Sequence, residues 1–231
     1  MNGPQLRTVN AAALVVGALG FAAGDLGRRL VLPDDEVTGI PDMVARVQAH
    51  PAVWLALGLA VLVGSFVMLP GAVALFRVAP GRGRRTVAIG AGLLVVGLVA
   101  SVAHSLAFYG MAAIDGTSGA PMDAVAAMED ASNSYPLFWV VIVLFMAGMM
   151  LGPIVLTWGL RRARLVPIWV PVAAVVFAVT GTVGGLFAGV LGLVACVAVF
   201  TMVARALVRA DRNSMASSSI GTRRPSGRLG A

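Results

Sequence analysis

Long apolar stretches alternate with short polar connections along the chain. A helix needs about 20 apolar residues to cross the hydrocarbon core of a bilayer, which is about 30 Å thick. The stretch from Ile168 to Leu207 has 40 residues, which at about 1.5 Å per residue is twice that thickness, so we expect it to fold back between Gly181 and Gly185. The predicted spans cover about residues 8–30, 51–76, 86–114, 136–160, 168–183 and 186–207.

This pattern predicts an all-α fold, a polytopic transmembrane bundle of six helices over residues 1–209. The C-terminal segment, residues 210–231, is rich in Ser, Gly and Arg and is predicted to be a disordered basic tail. Such a tail is attracted to anionic lipid of the inner leaflet without a specific site.

Arginine is concentrated in alternate connections, which predicts the orientation of the bundle because basic residues accumulate on cytoplasmic loops. The loops after the second and fourth spans carry several arginines. The third loop, with Asp115, Asp123, Glu129 and Asp130, has no basic residue. Both termini are therefore predicted to be cytoplasmic. The arginines assigned to that side are Arg7, Arg77, Arg82, Arg84, Arg85, Arg161, Arg162, Arg164, Arg205, Arg209, Arg212, Arg223, Arg224 and Arg228.

The first span has two interpretations. Its apolar core, Ala11 to Ala23, is short enough for a cleaved signal peptide, which would leave five helices in the same orientation. We favour a retained helix because Gly20 and Gly24 form a G-x-x-x-G pair, which is typical of helices that pack in membranes.

Both outer loops contain amphipathic segments. In the first loop Pro41 begins a predicted short helix with Met43, Val44 and Val47 on one side. In the third loop Met122, Val125 and Met128 face away from the acidic residues. Each segment is interpreted either as a cover for the helix ends or as a lid over an outward cavity.

The composition agrees with a membrane protein and excludes other classes. Mean hydropathy is +0.92, and 12% of the residues are charged, against about 25% in soluble domains. All 17 basic residues are arginine, a bias typical of a high-GC bacterial genome, and we expect a bacterial plasma membrane. Because these charges lie in loops and the tail, the net charge of +7 indicates orientation and not nucleic-acid binding. The single Cys196 excludes an intramolecular disulfide.

Small residues at spacings of four within the spans predict close helix packing, since lipid supplies no hydrophobic drive between helices. The predicted packing glycines are Gly20, Gly24, Gly148, Gly152, Gly181, Gly185 and Gly189.

One polar cluster lies within the spans. Ser101, His104, Ser105 and Tyr109 fall on one face of the third helix. Asp25 on the first helix lies at a similar depth, and ionisable groups at that depth tend to face the bundle and find a partner. We therefore predict that the Asp25 carboxylate accepts a hydrogen bond from His104, as a structural clamp or as part of a proton relay or ligand site.

Two neighbours complicate that pairing. Arg28 and Arg29, one turn further out, compete for the Asp25 carboxylate.

No second intramembrane carboxylate forms an acid–base pair, and no cluster with metal-ligand spacing is present, so neither a metal nor a cofactor is expected.

Several short motifs resemble an uncharacterised bacterial family of six-helix membrane proteins, a domain of unknown function. They are the segments 24–26 and 29–34 at the end of the first helix, His50-Pro51-Ala52 at the start of the second, and residues 164–169 before the fifth. The resemblance covers about residues 5–208. It implies the six-helix fold and carries no catalytic residue.

Three function classes follow. The leading hypothesis is non-catalytic binding of a lipid, a small molecule or a partner membrane protein, because no complete catalytic motif is present. The second is a membrane enzyme acting on a lipid or isoprenoid at the outer leaflet, with Asp25 and His104 as acid–base pair, which requires an accessible cavity beside them. The third is a proton-coupled transporter, which needs ionisable groups in both halves of the bundle.

Overall fold

The computed structural model describes residues 3–33, 39–78 and 81–221, and the side chains of residues 5–33, 39–78 and 81–210. Every regular element in these ranges is helical. The α-helices are α1 (Gly3–Val31), α2 (Ile40–Ala49), α3 (Pro51–Ala74), α4 (Arg84–Ser105), α5 (Met111–Thr117), α6 (Met122–Ser134), α7 (Pro136–Arg162), α8 (Trp169–Thr182) and α9 (Leu186–Gly221). A 3₁₀ turn, Leu75–Arg77, follows α3, and a π-helical segment, Leu106–Gly110, joins α4 to α5.

Five helical segments are long and apolar enough to cross a membrane: Gln5–Val31, Pro51–Arg77, Arg84–Thr117, Pro136–Arg162 and Leu186–Ala210. Their mean hydropathies lie between 1.6 and 2.6. The predicted all-helical membrane fold is confirmed at this level. The remaining apolar helix, α8, has 14 residues, which corresponds to about 21 Å of helix.

The six apolar helices form a closed ring. Along it, α1 packs against α3, α3 against α4, α4 against α7, α7 against α8, α8 against α9, and α9 against α1. The short helices α2, α5 and α6 contact one another or their neighbours at one end of the ring, which we call the capped end. The connections after α3 and α7 lie at the opposite end, the arginine end.

Glycines bring α4 and α7 into backbone contact. A Cβ added to Gly97 would lie 2.6 Å from the carbonyl carbon of Gly148, and one added to Gly152 would lie 2.8 Å from the amide nitrogen of Leu94. Real Cβ contacts are longer than this, so any larger residue would push the helices apart. We call this contact the glycine seam; it comprises Gly90, Gly97, Gly148, Gly152 and Gly159.

The other predicted packing glycines divide into two groups. Gly20 and Gly24 lie against α3, and a Cβ on Gly189 would lie 2.8 Å from the Cδ of Arg29. Gly181 and Gly185 differ from the prediction, because an added Cβ at either position meets nothing within 4 Å. Gly185 instead has a φ of +88° in the turn between α8 and α9, a left-handed conformation that favours glycine.

The predicted amphipathic segments correspond to α2 and α6. In α2 both Val44 and Val47 are buried, and in α6 Val125 is buried. Ile40 begins α2, one residue before Pro41. The acidic residues Asp34, Asp35 and Glu36, which belong to the same predicted loop, lie outside the described residues.

The last helix extends into the segment that was predicted to be a disordered tail. Helix α9 continues from the membrane span to Gly221. Extending an existing helix adds one hydrogen bond per residue without a new nucleation cost, which favours continuation through the Ala- and Arg-containing sequence after Leu207. Residues 222–231 lie outside the described part of the chain.

Candidate functional site

Asp25 is held by two arginines of its own helix. Its Oδ1 accepts hydrogen bonds from Nε and Nη2 of Arg28 at 3.3 and 3.1 Å, and its Oδ2 accepts one from Nε of Arg29 at 3.0 Å. Residues three and four positions apart lie on the same helical face, so this local pairing needs no rearrangement of the bundle. Both carboxylate oxygens are thereby engaged.

Arg29 also binds the end of α8. Its side chain is 3% exposed, and Nη1 donates to the carbonyl of Val183 at 2.6 Å while Nη2 donates to that of Thr180 at 2.9 Å. A weaker contact of 3.4 Å joins Nη1 to the carbonyl of Gly185. The last carbonyls of a helix lack intrahelical partners and carry partial negative charge, so a guanidinium stabilises them. We call this contact the Arg29 clamp.

The predicted hydrogen bond between Asp25 and His104 is not formed. Because Arg28 and Arg29 take both oxygens of Asp25, no hydrogen bond joins this carboxylate to the imidazole. Within the described residues His104 Nδ1 is buried and has no hydrogen-bond partner. Of the three candidate partners that the sequence indicated for Asp25, the two arginines bind it and His104 does not.

His104 is positioned by aromatic neighbours. Its ring stacks on Phe145 of α7 with centroids 4.6 Å apart and planes inclined by 22°. Phe108 lies on the π-helical segment with its centroid 6.0 Å from that of His104. These contacts orient the imidazole without using its Nδ1.

The predicted polar face of the third span is divided between two environments. Ser101 is fully buried and shares a hydrogen bond of 2.9 Å with Ser65 of α3. Ser105, one turn further along, is 3% exposed, and its hydroxyl has no partner in the described structure. Ser101 therefore joins two helices, whereas Ser105 keeps its hydrogen-bonding capacity.

The π-helical segment begins directly after Ser105. A π turn contains an extra residue, so it rotates the following side chains relative to an α-helix, and such segments are frequent at functional sites. Within the segment, the carbonyl of Tyr109 accepts a hydrogen bond of 3.0 Å from the indole of Trp54 on α3. Periodicity alone did not predict this segment, because it assumes one constant helical repeat.

A cavity of about 260 Å³ lies inside the ring, toward the capped end, and all six apolar helices contribute to its wall. We call it the central cavity. Asp25 and His104 both line it, although they do not bond to each other. Its polar lining residues are Asp25, Arg28, His104, Ser105, Tyr109 and Thr180, and its larger apolar ones are Phe21, Phe108, Phe145, Met146, Met149, Met150 and Phe177.

Sequence reasoning missed the apolar wall of this cavity. Four residues recur at helical spacing on α7: Phe145, Met146, Met149 and Met150. Such a pattern is also typical of ordinary core or lipid-facing residues. Methionine is flexible and polarisable and adapts to ligands of irregular shape. A cluster of three methionines beside a phenylalanine was the available signal.

A second space of about 400 Å³ lies beneath α6, and we call it the vestibule. His104 and Phe108 line both the vestibule and the central cavity, so they stand between the two. The vestibule wall also contains Asp115 and Glu129. Burial, together with the nearby carboxylates of Asp115 and Asp130, raises the pKa of Glu129.

The described residues contain no group of three or more His, Cys, Asp or Glu side chains that could hold a metal ion. Cys196 is 1% exposed, and its Sγ lies 3.9 Å from the carbonyl of Ala18. This thiol is packed between α9 and α1.

No family model, no curated protein and no solved structure matches the chain.

Proposed function

We propose that the chain is a six-span integral membrane protein of a bacterial plasma membrane, with both termini cytoplasmic and the capped end outside. The arginine distribution supports this orientation, because the basic connections after α3 and α7 share one end of the ring. Helix α8 closes the ring between α7 and α9, which supports counting it as a span. The exposed Arg205 on α9 adds positive charge near the inner leaflet, where it attracts anionic lipid.

We further propose that the protein binds a small amphipathic molecule in the central cavity and does not transform it. The observation that carries this proposal is the cavity itself, which combines a flexible apolar wall with polar groups on α1 and α4. Two of those groups, His104 Nδ1 and Ser105 Oγ, are buried without partners among the described residues. Leaving a buried polar atom unsatisfied costs about 1–3 kcal/mol. A ligand that bonds to them removes this cost.

Catalysis by Asp25 and His104 is less well supported. The cavity gives a substrate access to His104, as an enzyme would require. However, both oxygens of Asp25 accept hydrogen bonds from Arg28 and Arg29, and none joins Asp25 to His104 in the described structure. The two residues are therefore not arranged as a hydrogen-bonded acid–base pair.

Proton-coupled transport has weaker support still. A transporter needs ionisable groups on both sides of the midplane. Toward the arginine end, Thr157 is fully buried and bonds to the carbonyl of Pro153 at 2.7 Å. Such a hydroxyl does not titrate, and the ionisable groups that line the central cavity lie toward the capped end.

Retention of a co-purifying amphiphile tests the binding proposal. The protein is extracted into polymer-bounded discs with its native lipid, transferred to detergent and analysed by native mass spectrometry. Ala178 lines the cavity and is 7% exposed, so Ala178→Phe fills the space and should abolish retention. Ala56→Phe adds the same ring at an exposed position of α3 and should retain the ligand. The same ligand-dependent mass increase in the wild type and in Ala178→Phe would contradict the proposal.

A further inference from the structure

A carboxylate and a guanidinium meet at the wall of the central cavity. One carboxylate, Asp25, lies between two guanidiniums, those of Arg28 and Arg29. Asp25 and Arg28 line the cavity and Arg29 does not, and no other described lining residue carries a formal charge when His104 is counted as neutral. Arg29 is compensated by Asp25 and by the carbonyls at the end of α8, so Arg28 is the cation that faces the cavity.

The two arginines differ in their free hydrogen-bonding capacity. Arg29 uses Nε, Nη1 and Nη2 on Asp25 and on the end of α8. Arg28 uses Nε and Nη2 on one oxygen of Asp25, and its Nη1 donates to no residue that the structure describes. A guanidinium has five N–H donors. Arg28, which lines the cavity, therefore has guanidinium N–H groups that a ligand there can use.

The guanidinium of Arg28 is fixed by contacts on two sides. Its guanidinium carbon lies 5.8 Å from the centroid of Phe108, a cation–π distance. The Asp25 carboxylate holds the other side of the group. A guanidinium fixed in this way loses little side-chain entropy when it binds an oxyanion, for which its planar fork is well suited.

Neutral groups extend the same binding surface. Ser105 lines the cavity and is 3% exposed, and its hydroxyl has no hydrogen-bond partner in the described structure. His104 Nδ1 is likewise unpartnered. A head group with several acceptor oxygens bonds to Arg28 and to these groups together, whereas a neutral hydroxyl has too few acceptors to do so.

We propose that the ligand of the central cavity is an amphiphile with an anionic head group, a phosphate or a carboxylate, which Arg28 binds. This inference rests on the proposed binding function and specifies its ligand class. The head group lies between Arg28, His104 and Ser105, and the tail lies along Met146 and Met149. Any part of the tail that the cavity of about 260 Å³ does not hold continues between the helices into lipid.

Binding of two matched lipids tests the proposal with the full chain in detergent micelles. Lysophosphatidic acid and a monoacylglycerol share chain and glycerol and differ in the phosphate. We expect the wild type to bind lysophosphatidic acid at least about tenfold more tightly, since charge-assisted hydrogen bonds contribute more than a factor of ten in affinity. Arg28→Gln should abolish this preference and Arg28→Lys should restore part of it. Arg85→Gln, which removes an exposed charge at the arginine end, should leave the preference unchanged.

The outcomes separate this inference from the binding function. Equal wild-type affinity for the two lipids would overturn the anionic head group and leave the binding function standing. Binding of neither lipid would overturn both. Inorganic phosphate that binds as tightly as lysophosphatidic acid would overturn the amphiphile in favour of a free anion. A preference that persists in a folded Arg28→Gln protein, checked by gel filtration, would overturn the role of Arg28.

Discussion

The two halves of the helix ring are built on opposite principles. Toward the arginine end, Leu94, Leu156 and Leu160 are fully buried, and the glycine seam brings the backbones of α4 and α7 together. Toward the capped end the same two helices carry His104 and Phe145, whose stacked rings border a cavity. The comparison shows that one half holds the ring closed while the other half leaves space for a ligand.

Side-chain size accounts for the difference. Small residues allow close backbone contact and good van der Waals packing, which is the main attraction between helices in lipid. Aromatic and charged side chains keep backbones apart, and their polar atoms need partners. We call the half toward the arginine end the closed half and the half toward the capped end the open half. Paired substitutions test the contribution of each half to stability, with unfolding free energies measured by SDS titration in mixed micelles.

The largest expected effect separates two adjacent arginines that share Asp25. Arg29→Gln removes the Arg29 clamp and leaves carbonyls of the α8–α9 turn without a donor, so we expect a loss of about 3–5 kcal/mol of unfolding free energy. Arg28 is 26% exposed, and Arg28→Gln should cost about 1 kcal/mol or less. Equal losses would show that the clamp does not hold the open half together.

A smaller effect contrasts two glycines of the same long span. Gly97→Ala places a methyl group against the backbone of α7 and should cost about 1–3 kcal/mol. Gly110 lies in the π-helical segment, where an added Cβ meets nothing within 4 Å, so Gly110→Ala should be neutral or stabilise by up to about 1 kcal/mol. A neutral Gly97→Ala would contradict close packing at the glycine seam.

His104 tests whether a residue of the open half is kept for stability or for binding. His104→Phe retains the aromatic stack and loses an Nδ1 that has no partner in the described structure, so the unfolding free energy of the ligand-free protein should equal that of the wild type or exceed it by up to about 1–3 kcal/mol. His104→Ala should cost about 1 kcal/mol through the lost ring contact. Both variants should retain less of the co-purifying amphiphile. Full retention in both would exclude His104 from the binding site.

The smallest effect concerns two serines one turn apart. Ser101→Ala removes the hydrogen bond to Ser65 and should cost about 0.6 kcal/mol, an average for such bonds between membrane helices. Ser105→Ala removes a hydroxyl without a partner in the described structure and should cost nothing measurable, while weakening lysophosphatidic acid binding. A cost for Ser105→Ala equal to that of Ser101→Ala would show that the two environments do not differ.

Hydropathy was sufficient to predict the long apolar helices, because each follows from a local excess of apolar residues. The six-span count and the orientation remain predictions. At the site, sequence reasoning selected Asp25 and His104, which line one cavity, but paired them with each other. The Arg29 clamp depends on a turn 154 residues away in sequence, and neither that contact nor the π-helical segment leaves a periodic signal in the chain.

Cysteine accessibility tests the difference between the two halves most directly. In a Cys196→Ala background, which removes the native thiol, His104→Cys and Ser101→Cys are each treated with a water-soluble methanethiosulfonate. We expect His104→Cys to react and to be protected by lysophosphatidic acid at a concentration that saturates the weakened site, because His104 lines the central cavity. Ser101→Cys should not react, because Ser101 is fully buried. Equal reactivity of the two cysteines, or reaction at His104→Cys that the lipid does not slow, would contradict an open ligand-binding half above a closed one.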